Sequence, residues 1–185
     1  MADHPPLEQE IKIPVGELAS GRLRLAEIGA SLTAARAFED NTVFDHPVQR
    51  LAETGRLLRL REFAGSWLLT FKGPARFDGA IKIREEIETI VADGEATRAL
   101  LAALGFQPLW RYQKWRELWT HDAVAVALDE TPLGAFVELE GPPERLIPLA
   151  LTLGLDPAAA VAGSYRDLWL AHRAADPAAP WDMLF

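Results

Sequence analysis

Lys82-Ile83-Arg84-Glu85-Glu86-Ile87-Glu88 is the stretch on which the reading of the fold turns. Its charges recur at every second position, Lys82, Arg84, Glu86 and Glu88, with Ile81, Ile83 and Ile87 among the residues between them. A period of two belongs to a strand whose two faces meet different surroundings. The same pattern returns along the chain. Glu8, Glu10 and Lys12 alternate with Gln9, Ile11 and Ile13; Arg59 and Arg61 with Leu58 and Leu60; Thr70 and Lys72 with Leu69 and Phe71. Lys114 and Arg116 flank Trp115, and Glu138 and Glu140 alternate with Val137 and Leu139. Two further strands are expected at 37–45 and 123–129. Gly55, Gly65, Gly73-Pro74, Asp78-Gly79, Gly134 and Gly141-Pro142-Pro143 supply turns between them.

Helical spacing is rarer. It predicts helices over 17–32, 94–104 with Gly105 as the stop, 143–153 and 164–174. The tail 176–185 holds two prolines, Pro177 and Pro180, and reads as irregular. The expected fold is α+β: an eight-stranded antiparallel closed barrel with helices in the connections and at the C-terminus. One domain covers 1–185, with a core of about 7–173.

A charged strand face usually meets water. Here nearly every strand carries two or more charges on one face, and several carry both signs. An eight-stranded barrel has an interior just wide enough for side chains or one small ligand. If the charged faces point inward, Lys12, Arg59, Arg61, Lys72, Lys82, Arg84, Lys114 and Arg116 share the lumen with Glu8, Glu10, Glu86, Glu88, Asp129, Glu138 and Glu140. Stability does not explain such a lumen, because desolvation costs several kcal/mol per ion. A ligand does. Arginine forks fit phosphate oxygens, and carboxylates hold hard divalent cations such as Mg²⁺ and Mn²⁺. A polyphosphate with its metal satisfies both sets.

The 185 residues include 19 Lys+Arg and 27 Asp+Glu, a formal charge of −8. That balance argues against binding the outside of DNA. Hydrophobic content of 49% and charged content of 25% exclude wholesale disorder. The absence of cysteine removes disulfides, thiol catalysis and cysteine-bound metal. The first six residues do not read as a signal peptide. The longest apolar run, about ten residues around 146–155, is short of the roughly 17–25 that a membrane helix needs. A cytoplasmic protein without a membrane partner is expected. His4, His46, His121 and His172 show no ligand spacing and read as surface or turn residues. Trp67, Trp110, Trp115, Trp119 and Trp169 read as packing under helices. Gly73-Pro74 is a turn, since no Gly-x-x-x-x-Gly-Lys-Ser/Thr phosphate loop occurs.

These residues together resemble the CYTH domain, the superfamily of class IV adenylate cyclases and thiamine triphosphatases, also called triphosphate tunnel metalloenzymes. Glu8-Gln9-Glu10-Ile11-Lys12 is similar to the family's opening Glu-x-Glu-x-Lys. In order follow Asn41-Thr42-Val43-Phe44-Asp45, Leu58-Arg59-Leu60-Arg61, Leu69-Thr70-Phe71-Lys72-Gly73-Pro74 and the stretch from Lys82 to Glu88. Leu104-Gly105-Phe106, Lys114-Trp115-Arg116, Leu128-Asp129, Leu133-Gly134-Ala135-Phe136, Glu138-Leu139-Glu140 and Ser164-Tyr165 complete the series. Gly-Pro after Lys72, Leu-Gly-Phe and the late Ser-Tyr are similar to the class IV adenylate cyclase branch. The family's Asp-Thr-Tyr-Phe-Asp reads Asn-Thr-Val-Phe-Asp here.

The resemblance implies a divalent-metal enzyme, using Mg²⁺ or Mn²⁺, that acts on a small-molecule triphosphate. Glu8, Glu10, Glu138 and Glu140 would hold metal, with Asp129 and one of Glu86 or Glu88. Lys12, Arg59, Arg61, Lys72, Arg84, Lys114 and Arg116 would grip the phosphates. Glu8, Glu10, Lys12 and Lys72 would be the catalytic set. The bland alternative for each acid is an ion pair with a lumen cation. The expected activity is conversion of ATP to cyclic AMP and pyrophosphate. The alternatives are hydrolysis of tripolyphosphate, thiamine triphosphate or a nucleoside triphosphate, non-catalytic binding of a nucleotide or polyphosphate, and a structural or partner-binding role. Either a monomer or a homodimer fits.

Overall fold

A computed structural model describes residues 7–185. His4 and the reading of residues 1–6 lie outside it. The strands are β1 (Leu7–Val15), β2 (Ser31–Asp45), β3 (Leu57–Phe63), β4 (Ser66–Lys72), β5 (Arg76–Asp78), β6 (Ile81–Val91), β7 (Gln107–His121), β8 (Val124–Thr131) and β9 (Gly134–Glu140). The helices are α1 (Ala19–Glu27), α2 (Arg50–Glu53), α3 (Gly94–Ala103), α4 (Pro143–Thr152) and α5 (Tyr165–Ala175), with a 3-10 turn at Pro157–Ala159. Hydrogen bonding runs β1-β9-β8-β7-β2-β3-β4-β6, and β6 returns to β1. The expected closed eight-stranded antiparallel barrel is therefore what forms. β5 is an addition: it pairs with β6 through Arg76↔Ile83 and Asp78↔Ile81, beyond the Gly73-Pro74 interruption that ends β4.

The apolar faces of the alternating strands point outward. Ile11 and Ile13 of β1, Val124, Val126 and Leu128 of β8, and Val137 and Leu139 of β9 pack against Leu25 of α1 and Leu146, Leu149 and Ala150 of α4. Phe44 and Leu60 pack against Leu101 of α3 on another side of the wall. The main core thus lies between the barrel and its helices, which leaves the opposite strand faces to line the interior. No helix of the described residues is long and apolar enough to cross a membrane.

Three expectations need correction. The helix predicted over 17–32 stops at Glu27, because Gly29 adopts φ +72° and Ala30 N–H closes onto Leu25 C=O. This is the left-handed helix end that glycine permits. Ser31 and Leu32 then open β2, six residues before the expected strand start at 37. Trp115 does not pack under a helix; its half-buried ring meets Phe38 edge-on and lies beneath the Arg36 guanidinium, 4.1 Å from the ring centre. Gly105 does end α3, at φ +87°.

α3 also carries a sharp packing constraint. A methyl group on Gly94 would stand 2.2 Å from Trp67 Cδ2. Helix propensity alone favours Ala over Gly by about 1 kcal/mol, whereas overpacking costs typically about 1–3 kcal/mol. Gly94→Ala is expected to lower the thermal midpoint by several degrees; a rise would show that Trp67 moves aside freely.

Candidate active site

The register brings the charged faces together. Across β1–β6, Glu8 lies opposite Arg84 and Glu10 opposite Lys82; across β1–β9, Lys12 lies opposite Glu138 and Glu10 opposite Glu140. Arg116 faces Asp129 across β7–β8, and Lys72 faces Glu86 across β4–β6. All the predicted cations, and every predicted acid except Asp129, line one cavity of about 220 Å³. Asp129 is fully buried in the wall and bonds Lys114 and Arg116, which do line it. That volume is below the roughly 300–1,000 Å³ of pockets that bury drug-sized organic ligands. Size and lining together suit a compact anion.

Most of the acids are held by cations. Glu10 accepts from Lys82 Nζ at 2.7 Å, Glu88 from Arg61 at 2.9 Å and Glu138 from Lys12 at 3.0 Å. Asp129 accepts from Lys114 Nζ at 2.8 Å, from both Arg116 Nε and Nη2 at 2.7 and 2.6 Å, and from Tyr165 Oη at 2.8 Å. Burial pushes the Glu10 and Glu138 carboxyls up, but the cations outweigh it. Lys12 and Lys82 bring Glu10 down to about 2, and Glu138 falls well below the ordinary range under Lys12, Lys114 and Arg116.

Three acids behave differently. Oxygens of Glu8, Glu86 and Glu140 all lie within 4.8 Å of one another. Lys72 Nζ serves Glu8 at 2.6 Å and Glu86 at 3.0 Å, while Glu8 Oε2 is buried with no hydrogen-bond partner. Glu10 and Glu140, directly opposed, part company: Glu10 takes Lys82, and no described cation lies within salt-bridge distance of Glu140. Burial, and then the charges of Glu8 and Glu86, push the Glu140 carboxyl up to about 7. Glu140 is exposed at the rim, so the crowding of like charges is the cause that persists there. Burial also raises Glu8, more than Lys72 lowers it. An orphaned carboxylate oxygen in an all-oxygen donor set fits Mg²⁺ or Mn²⁺. Of the predicted metal residues, the fold gathers Glu8, Glu86 and Glu140; it pairs Glu10, Glu88, Asp129 and Glu138 with lumen cations.

Several lumen groups escaped the sequence reading. Glu39 is fully buried, 3.5 Å from Lys114, 3.7 Å from Arg116 and 3.8 Å from Arg61, and accepts from Asn41 Nδ2 at 2.9 Å. Those cations bring its carboxyl to about 2 against the push of burial. Tyr112 accepts from Arg59 at 3.2 Å. Tyr165 reaches in from the start of α5, its ring under Lys12 and Lys114 at 4.3 and 5.0 Å. Alternation at Ala37, Glu39, Asn41 and Val43 could have flagged Glu39; the Ser164-Tyr165 match marks Tyr165 without giving it a role in the tunnel, which it reaches through tertiary packing.

These shifts have a measurable sign. Between about pH 4.5 and 7 the folded protein holds a proton on Glu140 that the unfolded chain has lost, and Glu8 is shifted in the same direction. Stability of the metal-free protein is therefore expected to fall as pH rises through that window. Glu10, Glu39 and Glu138 act oppositely, losing their contribution as pH falls from about 4.5 towards 2. Thermal unfolding in chelator should peak near about pH 5. A midpoint that climbs steadily from pH 5 to 7 would contradict the crowding.

The sequence profile of the CYTH domain matches residues 6–144. A Methanocaldococcus jannaschii protein named as a candidate adenylate cyclase is 30% identical over 135 residues, covering 72% of this chain and 76% of its own. Among solved structures, a Vibrio parahaemolyticus protein described as a candidate adenylate cyclase superposes with TM-score 0.81 at 22% identity, over 90% of this chain and 99% of that one. A Hippeastrum protein, described as a candidate adenylyl cyclase with dominant triphosphatase activity, gives TM-score 0.68 at 18% identity over 89% of this chain and 96% of its own.

Proposed function

The chain belongs to the CYTH domain family, and on that footing we propose that its tunnel binds a triphosphate with Mg²⁺ or Mn²⁺ and performs metal-assisted chemistry at phosphorus. The observation that carries this reading is the convergence of Glu8, Glu86 and Glu140 beside nine lysines and arginines that line the same channel. The three acids would hold the cation, which supplies neutralisation of phosphate charge and polarisation of the bond to phosphorus.

The remaining work falls to the chain's own residues. Arg59, Arg61, Arg84 and Arg116 present forks to phosphate oxygens, and Lys12 and Lys114 present point charges. Lys72, bridging Glu8 and Glu86, sits where it meets the phosphate nearest the acid cluster. No cysteine or histidine lines the cavity among the described residues. This lining suits in-line displacement driven by positioning and charge neutralisation.

The first reading of the reaction is attack of the ribose 3′ oxygen of ATP on the α-phosphorus, giving cyclic AMP and pyrophosphate. It rests on the adenylate cyclase name of the archaeal relative at 30% identity. The second is hydrolysis of a triphosphate, favoured by the cavity's small volume and ionic walls, which suit inorganic tripolyphosphate without a base. One panel separates them: tripolyphosphate, ATP, GTP and thiamine triphosphate, with each metal, analysed for phosphate, pyrophosphate and cyclic product. Cyclic AMP with pyrophosphate supports the first reading. Phosphate release without it supports the second. No turnover and no calorimetric binding of any of the four would end both.

A further inference from the structure

Seven of the nine lysines and arginines that line the tunnel lie within 4.0 Å of a carboxylate. Among the described residues, Arg84 and Arg166 do not. Arg84 spends Nε and Nη2 on the Gly73 carbonyl, at 3.0 and 2.6 Å. Arg166 has nothing comparable: its Nε is buried without a hydrogen-bond partner. It is also the second residue of α5, at the positive end of the helix dipole, where a cation is disfavoured. Asp167, the acid in that first turn, is taken up by the capping box with Ser164. A half-buried guanidinium that lines the tunnel without an ion pair, on the wrong end of a helix, is a placement that an anion would favour.

The helix that carries it is fastened in place. Trp169 Nε1 donates to the Pro180 and Trp181 carbonyls, and Arg173 donates to Ala179. Met183 exchanges backbone hydrogen bonds with β7, donating to Arg111 C=O and accepting from Gln113 N–H. We propose that Arg166 is a further phosphate-contacting residue, delivered by α5 and its C-terminal strap, so that substrate completes the charge balance of that wall and tightens the helix onto it. This rests on the triphosphate reading of the tunnel above.

Calorimetry with tripolyphosphate on the wild type, Arg166→Ala and Arg166→Lys, combined with amide exchange over 165–175, tests it. Loss of one charge-assisted contact predicts binding about ten- to hundredfold weaker for Arg166→Ala, with Lys recovering part of it. Tripolyphosphate should slow exchange in α5 of the wild type and not of Arg166→Ala. The ligand-free thermal midpoint of Arg166→Ala should be unchanged or higher, which separates a binding role from a folding one. Equal affinity in wild type and Arg166→Ala, or slowing of α5 in both, would overturn the assignment while leaving the tunnel reading intact. Absence of binding by the wild type would overturn both.

Discussion

Replacing Glu8 and Glu140 together by glutamine should cut metal-dependent turnover of triphosphates by about 10²–10³ or more and remove the thermal stabilisation that Mg²⁺ or Mn²⁺ gives the wild type. The magnitude follows from losing charge stabilisation of a reacting centre, for which a single group is worth roughly 3–4 kcal/mol. The two acids are chosen because neither is neutralised in full: Glu8 shares Lys72 with Glu86 and leaves one oxygen unpartnered, and no described cation pairs with Glu140. Glutamine keeps the size and abolishes the charge. The like-charge repulsion disappears as well, so the metal-free double variant should melt higher than the wild type at neutral pH. Glu10→Gln makes the contrast. Glu10 already holds Lys82 at 2.7 Å, so its loss should leave metal-induced stabilisation largely in place. If the Glu8/Glu140 variant still gains stability from Mg²⁺ as the wild type does, the cation sits elsewhere.

The largest expected loss of stability comes from Asp129→Ala. Asp129 is fully buried and receives Lys114, Arg116 and the Tyr165 hydroxyl. Removing it leaves two buried cations to Glu39 and Glu138 and strips Tyr165 of its acceptor. Breaking a buried pair from one side costs about 3–5 kcal/mol. For a domain of this size that corresponds to a fall of roughly 10–15 °C in the thermal midpoint. Asp129→Asn retains an acceptor for Tyr165 and should lose less. A variant that melts within about 3 °C of the wild type would show that the Lys114–Arg116 wall is already balanced without Asp129.

The barrel was legible because alternation is a local property: each of β1, β3, β4, β6, β7 and β9 writes its two faces into its own residues. What alternation does not carry is register. Glu8, Glu10, Glu86, Glu88, Glu138 and Glu140 look alike along the chain. Only the offset of β1 against β6 and β9 decides that Glu10 meets Lys82 while Glu8, Glu86 and Glu140 crowd together. β5 was illegible for a related reason: a three-residue strand offers too few positions to show a period. The early start of β2 was hidden because Leu25, Ile28 and Leu32 keep helical spacing across Gly29, whose left-handed turn ends the helix. Tyr165 and Arg166 reach the tunnel through the docking of α5, on which sequence spacing is silent.

Most of the greasy layer lies outside the barrel wall, under α1, α3 and α4, so the inner wall is held chiefly by its ion pairs, save where Trp110 and Tyr112 meet α5. Its two-partner ionic rungs invite rewriting in matched swaps, an acid traded for a base on one strand and the reverse on its neighbour, whereas a hub such as Asp129, shared by Lys114, Arg116 and Tyr165, does not. The same shell could then be retuned to capture a differently charged cargo.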